Sequence, residues 1–185
     1  MRKILVGITG ASGVIYGVRL LEELKSLDVE VHLVLSNNAK NILVYETSRS
    51  PVDIESLAHS VYSNNDLSAP PSSGSYSIDA MVVVPCSLKT LSAIANGYCD
   101  TLISRAAVCC LKEKKKLILV VRETPLDLST IENMRKAYLN GAVILPASPG
   151  FYHKPESIDD LVTFIVGKIM DQLGLHHSLY KTWGT

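Results

Sequence analysis

The chain reads as an α/β protein with a three-layer, doubly wound parallel sheet of flavodoxin-like or Rossmann-like type. Five short apolar runs recur along it, helix-patterned segments separate them, and the polar residues suited to chemistry fall just after the runs. Strands buried on both faces and joined by helical crossovers are what a parallel sheet requires. With 185 residues, 47% of them hydrophobic, the chain suffices for one well-packed domain over 1–185 and is short for two. Lysine plus arginine balances aspartate plus glutamate at 18 each, so there is no basic field to recruit nucleic acid, and any anion site must be local.

Lys3 to Ile8 is the first expected strand, and Val14, Val18, Leu21 and Leu24 then recur at helical spacing. Between them, Gly7-Ile8-Thr9-Gly10-Ala11-Ser12-Gly13 turns strand into helix through three glycines and a serine. Such a corner lets backbone N–H groups approach an oxyanion and adds the partial positive charge of a helix N-terminus. The spacing is neither G-x-G-x-x-G nor a P-loop, which disfavours nicotinamide dinucleotides and ATP. A mononucleotide such as FMN suits it, as does a tight turn with no ligand. Glu30 to Leu35 is a second strand, ending at Ser36-Asn37-Asn38 before a helix over Ala39 to Thr47. Residues 50–78 are rich in serine, asparagine and proline, with one short helical patch near Ile54 to His59, and are expected as a loop-rich excursion of the kind that covers sites.

Ala80 to Pro85 suits a central strand, and Cys86-Ser87-Leu88-Lys89-Thr90 leads from it into a helix reaching Asn96-Gly97. Thr101 to Lys116 is expected as a helix whose basic end, Lys112, Lys114, Lys115 and Lys116, complements its C-terminus as a solvated cap. Leu117 to Val121 is the next strand and ends in Arg122-Glu123-Thr124-Pro125. Ser129 to Leu139 reads as helix, Ala142 to Leu145 as strand, and Pro146 to Gly150 as a break. The final helix is expected over Ser157 to Leu173 with a core stripe of Ile158, Leu161, Ile165 and Ile169, followed by a tail at 174–185. Thr9, Ser12, Ser36, Ser87, Arg122, Glu123 and Ser148 all follow strands, so a parallel sheet gathers them on the edge where such sheets bind ligands.

No signal-peptide core and no membrane-length apolar run are evident, so a cytoplasmic protein is expected. Cys86, Cys99, Cys109 and Cys110 lack C-x-x-C spacing, and no metal site is expected. His32 falls inside a strand pattern, and His153, His176 and His177 are isolated, so no Ser/His/Asp arrangement emerges. What the loops carry instead is hydroxyls, two glutamates (Glu46 and Glu123) and the cations Arg105, Lys112, Arg122 and Lys168. That mixture suits binding phosphates and passing a proton to a phosphate leaving group.

Gly7-Ile8-Thr9-Gly10-Ala11-Ser12-Gly13, Pro85-Cys86-Ser87-Leu88-Lys89-Thr90-Leu91-Ser92, Val121-Arg122-Glu123-Thr124-Pro125 and Pro149-Gly150-Phe151-Tyr152-His153 occur in this order. With these four motifs in register, the chain resembles the UbiX-type flavin prenyltransferases from residue 2 to Trp183. The resemblance implies membership of the homo-oligomeric flavin-containing decarboxylase-like superfamily, with assembly as a homododecamer built of trimers. It implies a transferase that joins a dimethylallyl group from dimethylallyl phosphate to N5 and C6 of reduced FMN without a metal. The product, prenylated FMN, is the cofactor of UbiD-type decarboxylases. Carried over by motif, Gly10, Ala11, Ser12, Ser36, Ser87, Leu88, Lys89, Thr90 and Arg122 match the residues that hold FMN. Tyr152, Lys168, Lys112, Arg122 and Arg105 match the prenyl-phosphate side, with Glu46, Glu123 and Ser12 at the chemistry and Trp183 shielding the prenyl group.

Those residue types suit the reaction on physical grounds. Breaking an allylic C–O bond leaves positive charge on carbon and negative charge on phosphate, which calls for cations and a proton donor at one end and an aromatic face at the other. Glu123 is the candidate donor; burial near Glu46 is expected to favour its protonated form and Arg122 to oppose it. By the same resemblance, Lys168 stands where most relatives carry arginine, keeping the charge and losing the planar two-point grip on phosphate. Competing readings are a related FMN-dependent cysteine decarboxylase, a flavin carrier without chemistry, and an aromatic acid decarboxylase acting directly. Against the first, Ser36 to Lys40 holds no histidine and Val121 to Pro125 no Met-Asn clamp.

Overall fold

In the computed structural model of the chain, residues 1–182 and 184 are described, so Trp183 lies outside the described residues. The elements run β1 (Arg2–Ile8), α1 (Val14–Lys25), β2 (Val29–Leu35), α2 (Asn37–Thr47), α3 (Pro51–Glu55), β3 (Ser60–Ser63), a 3-10 turn (Pro70–Ser72), β4 (Ala80–Cys86), α4 (Leu88–Ala95), α5 (Leu102–Lys112), β5 (Lys116–Val121), α6 (Leu128–Leu139), β6 (Val143–Ile144) and α7 (Ile158–Leu173). They build a six-stranded parallel sheet in the order β3-β2-β1-β4-β5-β6. That order is the Rossmann one, and it reverses between β1 and β4.

Both faces of the central strands are buried because residues of opposite parity feed different cores. Ile4, Val6 and Ile8 of β1 and Val82 and Val84 of β4 pack with α1 and α7, whereas Leu5, Met81, Val83, Leu117 and Leu119 pack with α4 and α5. The continuous apolar runs are therefore what a helix-covered parallel sheet needs.

Several expectations are corrected. Among the described residues there are six strands, not five: β3 emerges from the excursion at 50–78, and its sequence Ser60-Val61-Tyr62-Ser63 is half polar because it lies at the sheet edge. The short helix of that region begins earlier, at Pro51, fixed by a Ser50–Asp53 capping box, and ends at Glu55. Helix α5 stops at Lys112; Lys114 adopts a left-handed backbone (φ 56), and Lys116 is already in β5. The expected basic cap also divides, since Lys115 Nζ donates to the carbonyls of Gly74 (3.1 Å) and Tyr76 (2.8 Å), pinning the excursion to the sheet. Ile158, placed in the core stripe, is 80% exposed at the first turn of α7; Val162, Ile165, Val166, Ile169 and Leu173 form the buried face.

A polar network between β2 and the excursion explains how so apolar-poor a segment stays down. His32 is buried on β2, with Nε2 2.8 Å from Glu30 Oε1 and Nδ1 3.0 Å from the Tyr62 hydroxyl. A neutral ring protonated on Nε2 satisfies both neighbours, with Tyr62 donating to Nδ1. Burial pushes the His32 imidazole down despite the opposing pull of Glu30. The Tyr62 hydroxyl is pushed up to about 12 by burial and by Tyr76 beside it.

Candidate active site

The cleft forms where neighbouring crossovers part, at the carboxyl ends of β1 and β4. Thr9, buried at the end of β1, holds its two walls together. Its hydroxyl donates to the Pro85 carbonyl (2.7 Å) and accepts from the Ser87 N–H (2.8 Å). Ser87 then caps α4, accepting from Thr90 N and donating to Thr90 Oγ1 (3.1 Å). Ser36 caps α2 in the same way, accepting from Ala39 N at 3.1 Å, while its own N–H donates to the Ile8 carbonyl. Two capped helix N-termini thus face one cavity of about 580 Å³.

Gly10 is required there. A Cβ at that position would lie 2.4 Å from Asn38 Cβ, so only glycine lets the β1 corner meet the first turn of α2. Gly13 adopts a left-handed conformation (φ 97) ahead of α1. The N–H groups of Gly13 and Val14, the anion-binding amides expected from the glycine corner, are taken by this chain's own Glu46, whose Oε2 accepts from them at 2.8 and 3.1 Å. The positive end of α1 therefore serves Glu46, and the openings of α2 and α4 remain for a ligand.

Of the residues singled out by sequence, Gly10, Ala11, Ser12, Ser36, Ser87, Leu88, Lys89, Thr90, Arg122 and Glu123 line this one cavity. Arg122 Nε donates to the Ser12 carbonyl (2.9 Å), tying the end of β5 to the β1 corner, and its Nη1 lies 3.9 Å from Glu123 Oε1. Lys89 is held by Asp100 at 2.6 Å, and that contact, outweighing burial, keeps the Asp100 carboxyl below the usual range. Glu46 and Glu123 are engaged separately: Glu46 on the α1 amides, Glu123 with Arg122 and the Thr124 N–H (3.1 Å).

Tyr152, Lys168, Lys112 and Arg105 do not line the cleft. Arg105 donates to the Ser72 carbonyl, Lys112 pairs with Glu113 at the far end of α5, Tyr152 packs edge-on against Phe164, and Lys168 on α7 contacts Asp171 and Tyr180. Arg122 and Glu123 also line an adjoining hollow of about 300 Å³, whose far wall, Pro146 and Ser148, is shared with the hollow that Lys168 lines.

Asn37, Asn38, Asn64, Asn65, Thr101 and Ile103 line the cleft as well and are not singled out by sequence. Asn64 caps α5 twice, through its carbonyl to Leu102 N (2.8 Å) and its Oδ1 to Ile103 N (3.1 Å). The signal is its place just after β3, which is legible only once Ser60–Ser63 is recognised as a strand.

The family model described as Flavoprotein matches residues 1–170. Over 183 residues the chain is 50% identical to the flavin prenyltransferase UbiX of Methanocaldococcus jannaschii, covering 99% of each chain. This chain belongs to the UbiX-type flavin prenyltransferase family. Solved UbiX-type structures superpose closely on it. AnUbiX (PadA1) in complex with FMN and dimethylallyl pyrophosphate has a TM-score of 0.97 at 46% identity, covering 100% of this chain and 98% of that one. A dodecameric FMN-dependent UbiX-like decarboxylase from Escherichia coli O157:H7 also gives 0.97, at 43% identity and 99% and 100% coverage. The Rossmann-type sheet is thus the UbiX fold. Among the described residues no helix is long and apolar enough to cross a membrane, and no cluster of His, Cys, Asp or Glu could hold a metal ion.

Proposed function

We propose that the protein transfers a dimethylallyl group from dimethylallyl phosphate to reduced FMN, giving prenylated FMN and free phosphate, with the whole chain acting as one flavin-binding domain. What carries this reading is the switch-point cleft, where Gly10, the capping hydroxyls of Ser36 and Ser87, and Arg122 with Glu123 surround a single cavity. Its volume of about 580 Å³ suits a mononucleotide, and the forced glycine together with two helix openings suits a ring system carrying one phosphate.

Reduced FMN supplies nucleophilic N5 and C6; the remaining requirements fall on the protein. The ester's C–O bond would break with its electron pair leaving on phosphate as the released carbon bonds to N5, whose hydrogen leaves as a proton; the second bond, from C6 to the far carbon of the C=C, would consume that double bond, with the C6 hydrogen ending as a proton on the middle carbon, so the flavin gains C5H8. Arg122, held by the Ser12 carbonyl, presents positive charge at the rim where the departing phosphate gathers negative charge. Glu123 stands beside it to hand a proton to the phosphate oxygen, and Glu46 fixes the β1–α1 corner. Tyr152, Lys168, Lys112 and Arg105 lie outside the cleft, so a second protomer delivers them to it. That assignment agrees with the dodecameric assembly of the Escherichia coli relative, and we extend the same assembly to this chain. Trp183 is assigned the aromatic face over the prenyl group. The relative crystallised with a pyrophosphate donor makes monophosphate preference a question of KM for the two esters.

Family membership leaves the cysteine decarboxylase and carrier readings without support. We place the reaction in the cytoplasm and assign its product to a UbiD-type decarboxylase. Anaerobic incubation with reduced FMN and dimethylallyl phosphate, followed by mass spectrometry, is expected to show a flavin heavier by C5H8. Unmodified flavin with the ester intact would exclude the proposal, and carbon dioxide release from an aromatic acid by the protein alone would favour direct decarboxylation.

A further inference from the structure

We infer that Tyr180 and Asp171 are positioning residues for Lys168, forming a clasp that aims one ammonium N–H at the phosphate of the prenyl donor. The inference rests on the assignment of Lys168 to that phosphate and adds the machinery that makes a lysine adequate there.

The clasp is built by a specific seat. Gly167 lies buried on α7, and a Cβ there would stand 2.5 Å from the Tyr180 ring and 3.0 Å from His177 Cε1, so only glycine lets the segment after α7 lie against the helix. The Tyr180 ring also packs against Phe164, with centroids 5.1 Å apart. From that seat its hydroxyl donates to Asp171 Oδ2 and accepts from Lys168 Nζ at 2.9 Å. Lys168 Nζ also donates to Asp171 Oδ2 at 3.2 Å, and Asp171 Oδ1 is held by His177 Nε2 at 3.0 Å.

An ammonium group carries three donors. Two are engaged here, by Tyr180 and Asp171, which leaves one N–H in a direction set by the other two. A lysine on a flexible four-carbon stem is otherwise a mobile point charge, whereas arginine presents a planar fork already arranged for phosphate. The clasp supplies by contact what the guanidinium supplies by its own shape. The Tyr180 hydrogen bond also raises the Lys168 pKa against the opposing effect of burial, so the group stays charged.

The test is steady-state kinetics on the assembled enzyme, with FMN binding measured separately by quenching of flavin fluorescence. Tyr180→Phe keeps the ring on Gly167 and removes both hydroxyl bonds. It is expected to raise KM for dimethylallyl phosphate about five- to tenfold, with a smaller change in kcat and unchanged FMN affinity. Asp171→Asn is expected to move KM in the same direction. Adding Lys168→Arg to Tyr180→Phe is expected to restore KM, because the fork needs no clasp. If Lys168→Ala leaves KM unchanged, the phosphate assignment itself fails. If Lys168→Ala raises KM while both Tyr180→Phe and Asp171→Asn leave it alone, only the clasp is overturned. A Tyr180→Phe defect that Lys168→Arg cannot repair would reduce Tyr180 to a structural anchor and also overturn it.

Discussion

Replacing Gly10 with alanine tests the geometry of the cleft through a single methyl group. The added carbon would lie 2.4 Å from Asn38 Cβ, whereas carbon atoms rest at about 3.5–4.0 Å, so the corner and the first turn of α2 must separate by about 1 Å. Asn38 sits on backbone that Ser36 caps, and both residues line the cavity, so the displacement is felt where the flavin binds. Overpacking of this kind costs about 1–3 kcal/mol, and for a chain of this size each kcal/mol lowers Tm by about 2–4 °C. FMN affinity is expected to fall at least about tenfold, the equivalent of about 1.4 kcal/mol. Asn38→Gly alone removes the opposing carbon and costs at most about 1 kcal/mol in helix propensity. The double variant Gly10→Ala/Asn38→Gly is then expected to match Asn38→Gly alone in Tm and FMN affinity, a coupling of about 1–3 kcal/mol. Additive effects, or a Gly10→Ala protein that melts and binds flavin like the parent, would refute the close approach as the reason for glycine.

Glu123→Gln keeps the shape and removes the transferable proton, so kcat is expected to fall about a hundredfold while FMN titration is little changed; equal turnover would dismiss Glu123 as the donor. Lys89→Ala is expected to weaken FMN binding, and Asp100→Asn, which removes the carboxylate holding Lys89, to weaken it less; an equilibrium titration showing neither effect would remove Lys89 from the site. Because burial holds the His32 imidazole below its ordinary 6.5, the unfolded chain binds a proton first on acidification. The His32 contribution to stability is complete above pH 6.5 and is lost as pH falls from there towards the depressed folded value. Melting curves from about pH 7.5 to 5 are expected to show Tm falling, and His32→Gln to flatten that fall; an unchanged slope would mean that His32 does not carry it. Co-expression of Glu123→Gln and Tyr152→Phe chains is expected to recover part of the activity that each lacks alone, since some clefts in mixed oligomers pair an intact Glu123 with a neighbour's intact Tyr152. No recovery above the two parents would place both residues in one protomer's site.

Where burial on both faces imposes an apolar run, as in Ile4–Ile8 and Ala80–Val84, the strands are legible from sequence alone. Strand β3 is not, because an edge strand needs one apolar side at most, and the network of Tyr62, His32 and Glu30 replaces hydrophobic contact there. Missing that strand also hides Asn64 and Asn65, which enter the cleft only because they follow it. The end of α5 escapes the sequence for a different reason: Glu113 and the lysines around it have ordinary helix propensity, and the left-handed turn at Lys114 leaves no mark in residue type. Among the site residues, those following strands converge as parallel topology demands. Glu46 does not follow a strand, and its reach to the Gly13 and Val14 amides depends on the docking of α2 beside α1, which no local pattern encodes. Tyr152, Lys168, Lys112 and Arg105 follow no strand end that opens on the cleft and do not line it in the single chain, so parallel topology alone gives no reason for them to converge there.

A crystal structure of the protein with FMN bound tests the central claim most directly. The flavin is expected between Gly10–Ser12 and Ser87–Thr90, with Arg122 and Glu123 at its rim and a neighbouring protomer's Tyr152 and Lys168 closing the far side. Flavin seated instead in the separate hollow beside His153 and Lys181, with the switch-point cleft left to solvent, would contradict the account.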